Sequence, residues 1–530
     1  MKKFIFNNKY NFLFCICAFL FIFWQTIIYN AVDMDYWARL LQGFAFLETG
    51  HILKNDIFSY TNTHLWLDHE WGASIIFAFI HKGGYLFILL FKSLLVFLTF
   101  FFMYLAVKVR LQNKENFTDI EKIRLNNSVS QPTAGSPPQS GFSFNIVYFI
   151  LLVFAMPTIT QSWIRCHFFT FLFFSFCIYI LEKVRQSNNY KLLTVLPVLM
   201  LFWVNIHGGC VSLLGLLGIY IAGEFLNKKS VKYYLFTLLC CLAVMFINPY
   251  GFDYVKFIFT ATTMPRPFVT EWISPFMHSD LNFFIIFKLI YIINLIILII
   301  NLKNLKKDFT KYILLAVCAY LSFRYIKNTP FFIITSVVFL YENLFGLFEK
   351  IKFNPKYLPN LACIILIIVS LYNIHKNSFM LVYPNLSQQP VEIVKFIKNN
   401  NLKGNIMAPF DMGSYIAYKL YPDNLIYMDG RYEEVYYNET KKLLDDFFMA
   451  TENWDKILNS DIIHDYLIIP NDAMVDEYMK NRKDYKKIYK DNTNSIYSRT
   501  DKLKNIYKLP VKKIKAGTFQ EAFSTNVKFK

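Results

Sequence analysis

The stretch AVDMDYWARLLQGFAFLETGHILKNDIFSYTNTHLWLDHEW, residues 31–71, lies between two long apolar segments and is rich in acidic residues. Only Arg39 and Lys54 oppose these acids within the stretch. The acids are Asp33, Asp35, Glu48, Asp56, Asp68 and Glu70. The whole chain is basic, with a formal net charge of +18. A local excess of acids in a basic, apolar chain therefore needs a specific explanation.

The composition around this stretch decides the class of protein. The chain has 530 residues, of which 55% are hydrophobic and 17% are charged, whereas soluble domains carry about 25% charged residues. We therefore predict a polytopic α-helical membrane protein. A span needs about 20 apolar residues, and on that basis we expect about 11 transmembrane helices. They are predicted near residues 11–30, 86–108, 144–160, 168–181, 190–206, 211–226, 233–248, 282–300, 311–323, 329–348 and 359–376.

The distribution of Lys and Arg predicts the orientation, because cytoplasmic loops of membrane proteins are enriched in both residues. With the N-terminus inside, the inner loops contain 20 Lys and Arg and the longer outer loops contain 8. This asymmetry predicts a multi-pass protein of the inner (cytoplasmic) membrane with a cytoplasmic N-terminus. An odd number of spans then places the C-terminal region outside the cell membrane, on the same side as the acidic stretch.

Changes in composition predict three regions. Residues 1–376 form the transmembrane domain, in which 31–85 is the first outer loop and 110–143 is a flexible, Pro/Gly/Ser-containing cytoplasmic loop. Residues 377–500 form a small soluble extracytoplasmic α/β domain, and residues 501–530 form a basic tail that is disordered or lies on anionic lipid. Residues 71–81 are too short to span and predict an interfacial helix. In the soluble domain, helical patterns occur at 390–400 and 412–420, and strand patterns at 404–410, 424–431 and 464–470.

Most candidate functional residues fall in the outer loops. Asp33 and Asp35 are the candidate catalytic carboxylates, while later loops contain cations and histidines. A carboxylate near cations suits a substrate that has a phosphate and a hydroxyl group requiring activation. The candidate substrate-binding residues are Asp68, His69, Glu70, Arg165, His167, Asn205, His207, Glu271, Arg324, Lys327, Asp429 and Arg431. Each also has a structural explanation, as an interfacial residue, a helix stop or a snorkelling side chain.

Several chemistries lack their sequence signals. There is no Gly-rich phosphate loop, no GxSxG elbow and no HExxH zinc motif, since DHEWG supplies one histidine. No nucleic-acid partner is expected. Paired carboxylates do suit Mg²⁺ or Mn²⁺, so a divalent cation at Asp33 and Asp35 is an open alternative, and no other cofactor is predicted.

At these motifs the chain resembles the GT-C superfamily of integral membrane glycosyltransferases, which includes oligosaccharyltransferases and protein O-mannosyltransferases. The superfamily pattern of acid, acid and then Tyr in the first outer helix is similar to DMDYWARLLQG, residues 33–43, with the second acid displaced by one place. Further stretches resemble an uncharacterised bacterial branch of that superfamily. They are TGHILKNDIFSYT (49–61), WLDHEW (66–71), WVNIHGG (203–209), INPYG (247–251), EWISP (271–275), FRYIKN (323–328), DMGSYIAYKL (411–420) and MDGRYEEVY (428–436).

The resemblance implies a GT-C-like fold and an enzyme of the cell envelope. Such an enzyme would move a hexose or pentose from a polyprenyl-phosphate carrier to an envelope glycan, lipid or protein acceptor at the outer face of the membrane. The resemblance implies that Asp33 activates the acceptor hydroxyl, and that cations of later loops hold the lipid phosphate that leaves. Asp35 would orient Asp33 or share a metal with it.

Other functions are also compatible with many apolar helices. A transporter or flippase for lipid-linked glycans would place charged residues within its spans, where Lys92, Glu224 and Lys288 are the candidates. A ligase would transfer a whole glycan rather than one sugar. A non-catalytic assembly partner would not need the acids of the first loop.

Cysteine labelling in intact cells tests the predicted orientation. A cysteine at Ser414 should react with a membrane-impermeant reagent and one at Ser128 should not, because the two positions are predicted on opposite sides. The reverse result would overturn the topology.

Overall fold

The computed structural model describes residues 8–126, 155–264, 270–277, 285–300, 308–350, 358–381 and 389–505, with residues 148, 152, 153 and 386. The chain divides into two compact units. One contains residues Met1–Tyr29, Leu89–Ser162 and His167–Ser378, and we call it the helical unit. The other contains residues Asn30–Ile88, Trp163–Cys166 and Phe379–Lys530, and we call it the mixed unit.

Long apolar helices dominate the chain up to residue 376. Three of the described helical segments are long and apolar enough to cross a membrane, namely Tyr85–Leu111, His167–Ser187 and Gly208–Leu226. These segments, with shorter apolar helices beside them, indicate a membrane location, while the number of spans stays a prediction. The helices are α1 Asn8–Ile28, α2 Met34–Thr49, α3 Trp71–Lys82, α4 Tyr85–Asn126, α5 His167–Ser187, α6 Val195–Trp203, α7 Val211–Leu226, α8 Lys232–Val244, α9 Phe252–Thr263, α10 Ile285–Ile300, α11 Phe309–Arg324, α12 Thr329–Lys350 and α13 Leu358–Lys376.

Most of these helices overlap segments that the apolar pattern predicted, but their ends differ. Helix α4 continues to Asn126, well into the loop predicted at 110–143, and residues 127–147 lie outside the described residues. Helix α9 lies between the predicted spans 233–248 and 282–300; at 12 residues it is too short to span the hydrocarbon.

Buried ion pairs connect the helices within the helical unit. Arg185 contacts Glu224 at 2.7 Å (Nε–Oε1) and Asp308 at 2.7 Å (Nη2–Oδ1), which joins α5 to α7 and to the start of α11. Arg110 of α4 contacts Glu182 of α5 in the same way. Because each charge has an opposite charge beside it, the cost of burying these groups is offset within the unit.

Lys92 of α4 is buried and has a structural role. Its ammonium group donates to three backbone carbonyl oxygens, those of Tyr29 at 2.7 Å, Thr160 at 3.0 Å and Ser162 at 2.9 Å. The carbonyls at the ends of helices lack intrahelical donors and attract cations. Lys92 therefore links the C-terminal ends of neighbouring helices within the helical unit.

A five-stranded sheet forms the core of the C-terminal part of the mixed unit. Its order is β2-β1-β3-β5-β4, with β1 parallel to β2 and β3, and with β5 antiparallel to β3 and β4. Apolar residues of the central strands, such as Ile406, Leu467 and Ile468, are completely buried. The strands are β1 Gly404–Met407, β2 Asn424–Ile426, β3 Tyr466–Pro470, β4 Tyr485–Lys490 and β5 Asn494–Arg499.

Short helices accompany these strands; the first two match the helical patterns predicted at 390–400 and 412–420, and the sequence patterns did not predict the others. The helices are α14 Val391–Asn399, α15 Phe410–Leu420, α16 Tyr432–Val435, α17 Asn438–Phe448 and α18 Val475–Met479. The hairpin of β4 and β5 was not predicted, because the Lys-rich edge strand β4 lacks a clear apolar alternation. Lysines on an edge strand disfavour pairing with other chains. The predicted basic tail begins with a short helical turn, Thr500–Asn505, and its remaining residues lie outside the described ones.

Part of the first loop extends this sheet. The backbone of Ile426 in β2 donates to Phe58 at 2.9 Å and accepts from Tyr60 at 3.1 Å. The hydroxyl of Thr61 donates to the carbonyl of Tyr427 at 2.9 Å. Residues 30–88, which the sequence analysis assigned to the transmembrane domain, therefore pack in the same unit as the C-terminal residues.

Two glycines allow close packing within the mixed unit. A side chain at Gly43 of α2 would overlap the backbone carbonyl of Ser74 in α3. A side chain at Gly413 of α15 would overlap the carbonyl of Met428 at the end of the β2 segment. Gly43 lies in the stretch 33–43, which resembles the superfamily pattern, and Gly413 lies in the stretch 411–420, which resembles the bacterial branch.

The structure also changes the choice of residue for the labelling experiment. Ser414 lies in α15 and is completely buried, so a cysteine there would not react on either side of the membrane. Glu477 replaces it, because its side chain is 76% exposed, and Ser187 is exposed at the end of α5 in a predicted inner loop. We expect labelling of Glu477→Cys and not of Ser187→Cys in intact cells; labelling of both after permeabilisation is the control.

Candidate functional site

The two leading acids lie at the N-terminus of α2. Asp33 is the N-cap residue, and its Oδ1 accepts a hydrogen bond from the backbone N–H of Asp35 at 2.9 Å. Aspartate is a favoured N-cap, because its carboxylate satisfies a free N–H group and its charge complements the helix dipole. Asp33 is buried, so α2 holds this carboxylate in a fixed position.

Arg165 lies between the two acids. Its Nη1 is 3.6 Å from Oδ2 of Asp33 and 3.4 Å from Oδ2 of Asp35. A short backbone pairing places it there, since the N–H of Ile164 donates to the carbonyl of Ala31 at 3.0 Å. We call Asp33, Asp35 and Arg165 the acid site. Sequence reasoning grouped Arg165 with the later cations, whereas the structure places it against the acids.

Asp35 is the more accessible of the two carboxylates. Its side chain is 34% exposed, against 7% for Asp33. Burial and then the like charge of Asp33 raise the pKa of Asp35 well above its usual range, although Arg165 opposes this. A carboxylate with a raised pKa accepts a proton more readily near neutral pH, as a general base must do.

Tyr36, the next residue of the motif, anchors α2 in the unit. Its hydroxyl lies 3.0 Å from Nδ1 of His81 in α3, and the hydroxyl of Tyr418 in α15 lies 3.0 Å from Nε2 of the same ring. All three side chains are buried. The first loop and the C-terminal residues therefore share one hydrogen-bonded core directly beside the acid site.

A buried arginine that sequence reasoning missed organises the next turn of α2. Arg39 contacts Asp68, lies 3.3 Å from Glu70 (Nε–Oε2) and 3.1 Å from Glu434 (Nη2–Oε2). The indole N–H of Trp66 also donates to Glu434 at 2.9 Å. Three carboxylates, two from the first loop and one from the C-terminal residues, thus converge on one guanidinium. We call Arg39, Asp68, Glu70 and Glu434, with His69, the Arg39 cluster.

His69 completes this cluster. Its Nδ1 lies 2.8 Å from Oε1 of Glu434. Burial would lower the pKa of His69, but the carboxylates of Glu434 and Glu70 raise it to about 9. Burial opposes ionisation of Glu434 too, yet Arg39 and then His69 lower its pKa to about 2. Burial raises the pKa of Asp68 to about 6 in spite of Arg39.

Asp429 and Arg431 form a second buried ion-pair cluster. Nε of Arg431 is 2.9 Å from Oδ1 of Asp429, and its Nη1 is 2.8 Å from Oδ1 of Asp56 in the first loop. All three side chains are completely buried. The guanidinium also stacks 4.6 Å from the ring centroid of Trp66. These contacts fix the turn after β2 against the first loop.

Two candidate residues of the helical unit hold neighbouring backbone. The side chain of Asn205 donates to the carbonyls of Leu201 at 2.8 Å and Ile247 at 3.1 Å. Nδ1 of His207 accepts from the N–H of Gly209 at 2.9 Å and lies 2.7 Å from the hydroxyl of Thr170. Since an N–H can only donate, Nδ1 is an acceptor and neutral His207 carries its proton on Nε2.

His167, the third candidate there, starts α5 and packs on aromatic rings. Its ring centroid lies 4.5 Å from that of Phe168 and 5.0 Å from that of Phe171. These ring contacts fix the orientation of the imidazole at the start of the helix.

The remaining cations lie at the end of α11. Arg324 is exposed in the last turn of that helix. The ammonium of Lys327 lies 3.0 Å from the centroid of the Trp272 ring, and Trp272 packs against Tyr325 at 5.3 Å. The preceding residue, Glu271, is half-buried in the same short turn. An aromatic surface thus holds Lys327 beside an exposed arginine.

The structure therefore separates two sets of candidate residues. In the mixed unit, Asp33, Asp35 and Arg165 form one site, while Asp68, Glu70, Asp429 and Arg431 are occupied by internal ion pairs. Among the residues that the structure describes, no group of three or more His, Cys, Asp and Glu side chains could hold a metal ion. A divalent cation bound by the two aspartates stays a prediction.

Comparisons with known proteins concern the fold. No protein-family model matches the chain, and no curated protein matches it. Among solved structures, the chain is similar to the archaeal oligosaccharyltransferase AglB from Archaeoglobus fulgidus, which was solved in complex with an inhibitory peptide and a dolichol-phosphate. The TM-score is 0.55 at 8% sequence identity, and the match covers 87% of this chain and 69% of that one.

This likeness defines the class of fold. An oligosaccharyltransferase is one of the GT-C enzymes that the motifs resemble, so the likeness supports a GT-C-like membrane fold. At 8% identity it carries information about the fold alone. Assignment to a bacterial branch stays a prediction.

The raised pKa of His69 leads to a pH-dependent stability. Protonated His69 contributes stability fully below its ordinary pKa of 6.5, and this contribution is lost as the pH rises through about 9. We expect the melting temperature of the purified protein to fall over this range, and to fall less in His69→Gln. His51→Gln, at an exposed histidine of the same loop, is the matched control. An equal alkaline decrease in His69→Gln and the parent would contradict the assignment.

Proposed function

We propose that the protein is a membrane glycosyltransferase that moves a sugar from a polyprenyl-phosphate carrier to an acceptor hydroxyl. The observation that carries this proposal is the acid site, where α2 fixes one buried carboxylate and presents a second, more exposed one. The motifs around the site and the GT-C-like fold support the same reaction class. The acceptor is an envelope glycan, lipid or protein.

The two acids have different roles in this proposal. Oδ1 of Asp33 is occupied by the N–H of Asp35, and its Oδ2 faces Arg165. Asp33 therefore fixes the helix start and keeps negative charge beside Asp35. Asp35, with its greater exposure and raised pKa, is the base that accepts the acceptor proton. This assignment shifts the base role from Asp33, where the sequence resemblance placed it, to Asp35.

Arg165 reduces the electrostatic repulsion between Asp33 and Asp35. Its positive charge lies within 3.6 Å of both carboxylates and limits the repulsion between them. Without it, two neighbouring acids would favour a shared proton, which would reduce the population of the basic form. Arg165 therefore lowers the pKa of Asp35 relative to an acid pair without a cation, which favours the ionised form that acts as the base.

The leaving lipid phosphate is assigned to the exposed end of α11. Arg324 and Lys327 lie three residues apart, and Trp272 holds Lys327 in place. An arginine can bind a phosphate through two parallel hydrogen bonds. Phosphate recognition there agrees with a lipid-linked donor, as does the dolichol-phosphate bound in the AglB structure.

The transporter alternative has less support from the contacts. Lys92 is occupied by three carbonyl oxygens, and Glu224 by Arg185, Thr310 and Asn227. Two of its three candidate residues are therefore engaged in holding helices. A ligase that transfers a whole glycan would use the same chemistry at the acid site. It is the alternative function that this site supports.

Substitution of the acids tests the proposed base. Asp35→Asn should lower sugar transfer by about 10²–10⁴, the usual contribution of general-base assistance. Asp33→Asn should also lower it while the protein stays folded, because asparagine is an equally good N-cap. The measurement is mass spectrometry of envelope glycans and lipid-linked sugars in a deletion strain that carries each variant, and Glu48→Gln, exposed on α2, is the control. Asp35→Asn activity above about a tenth of the parental level would exclude the base role.

A chelator decides between the two uses of the carboxylates. If the aspartates share a divalent cation, EDTA should abolish transfer and added Mg²⁺ or Mn²⁺ should restore it. If Asp35 acts as a base alone, transfer should continue in EDTA.

A second prediction concerns the lipid phosphate. Arg324→Ala should raise the KM for the polyprenyl-phosphate donor about tenfold, because the charge-assisted hydrogen bonds to the phosphate are lost. Arg324→Lys should recover only part of the affinity, since lysine lacks the planar fork. Lys256→Ala, an exposed lysine of α9, is the control. A parental donor KM in Arg324→Ala would reject the phosphate assignment.

A further inference from the structure

Gly430 lies in the MDGR turn that follows β2, and its backbone does not require glycine. The described glycines with a left-handed φ are Gly50, Gly84, Gly251 and Gly404. Gly430 is not among them, so any L-residue could adopt its backbone conformation. Glycine at this position is therefore explained by the limited room for a side chain.

The neighbours of Gly430 show which atoms a side chain at this position would meet. A Cβ atom built there would lie 3.3 Å from Oδ1 of Asp35, and 3.6 Å from both Cγ and Sδ of Met34. Oδ2 of the same carboxylate is the atom that faces Arg165. The Asp35 carboxylate therefore has one oxygen against a cation and the other against a backbone that has no side chain.

The turn is held firmly in this position. Asp429 and Arg431, on either side of Gly430, are completely buried and paired with each other and with Asp56. Gly413 packs directly against the carbonyl of Met428. A side chain at position 430 could not be accommodated by moving the turn, so the Asp35 carboxylate would have to move.

A contact in the Arg39 cluster also fixes the turn relative to α2. Glu434, which follows the turn, contacts Arg39 one helical turn beyond Asp35. The separation between Gly430 and Asp35 is thus fixed from both sides by buried charges.

We propose that Gly430 is a positioning and specificity-determining residue for the acid site. Its missing side chain leaves Oδ1 of Asp35 accessible to the acceptor hydroxyl, and the MDGR turn forms the wall that limits the size of the group that carries this hydroxyl. This assignment rests on the proposed function. The C-terminal residues therefore help to select the acceptor.

Chemical modification tests this assignment without knowledge of the substrates. A water-soluble carbodiimide with glycine ethyl ester converts accessible carboxyl groups to amides, and peptide mass spectrometry measures the modified fraction at Asp35 and Asp33. In the parent we expect more modification at Asp35 than at Asp33. Gly430→Ala should reduce modification of Asp35, and Gly430→Val should reduce it further, because each added methyl group covers more of Oδ1.

Two matched glycine variants complete the experiment. Gly218→Ala, where the new methyl group meets no atom within 4 Å, should leave the modification and the melting temperature unchanged. Gly413→Ala should lower the melting temperature, because its Cβ overlaps backbone. Gly430→Ala should keep the parental melting temperature, which separates loss of access from loss of folding.

Sugar transfer gives the second measurement. A displacement of about 1 Å at a reacting group can cost about 10²-fold in rate, so Gly430→Val should lose transfer to that extent while its donor KM stays parental. Equal modification of Asp35 in the parent and in Gly430→Val would overturn the inference. Full activity of Asp35→Asn would instead overturn the proposed function, so the two failures are distinguishable.

Discussion

One buried guanidinium determines the geometry on which the candidate site depends. Arg39 lies in the second turn of α2 and is contacted by Asp68, Glu70 and Glu434. A buried arginine cannot become neutral by losing its proton, because its pKa is too high. It therefore requires carboxylates around it, and these carboxylates tie α2 to the end of the first loop and to the C-terminal residues. The N-terminus of α2, with Asp33 and Asp35, is positioned as a consequence.

The same requirement explains most of the acids in residues 31–71. Asp68 and Glu70 balance Arg39, and Asp56 balances Arg431, which is also paired with Asp429. Removing one partner of such a buried pair typically costs about 3–5 kcal/mol, because the other charge is left without compensation. These acids are thus part of the structure of the mixed unit. Asp33 and Asp35 differ from them, because both lie beside Arg165 at the start of α2, and Asp35 keeps a partly exposed surface.

The arrangement of Asp33, Asp35 and the MDGR turn meets a structural and a chemical requirement at the same place. A base must be held in place and must also be reached by its substrate, and these demands conflict in a buried site. Here the two are divided between neighbouring residues. Asp33 is fixed as the helix cap, Asp35 beside it is partly exposed, and the MDGR turn places Gly430, which has no side chain, next to Oδ1 of Asp35. The fold, which is similar to that of a membrane oligosaccharyltransferase, places this site in the part of the chain that follows the first apolar helix.

The sequence by itself determined the membrane class, the positions of the apolar helices and the strand–helix alternation after residue 390. It did so because apolar length and local periodicity are properties of neighbouring residues. It also predicted Asp33 and Asp35 as candidate catalytic residues from their position after the first apolar segment. The partners of Arg39 and Arg431 could not be read from it, since Glu434 lies 395 residues from Arg39 and Asp56 lies 375 residues from Arg431. Only the tertiary structure brought them together, because burying an arginine forces distant carboxylates to converge on it. That convergence distinguishes the acids paired with Arg39 and Arg431 from Asp33 and Asp35 at the start of α2.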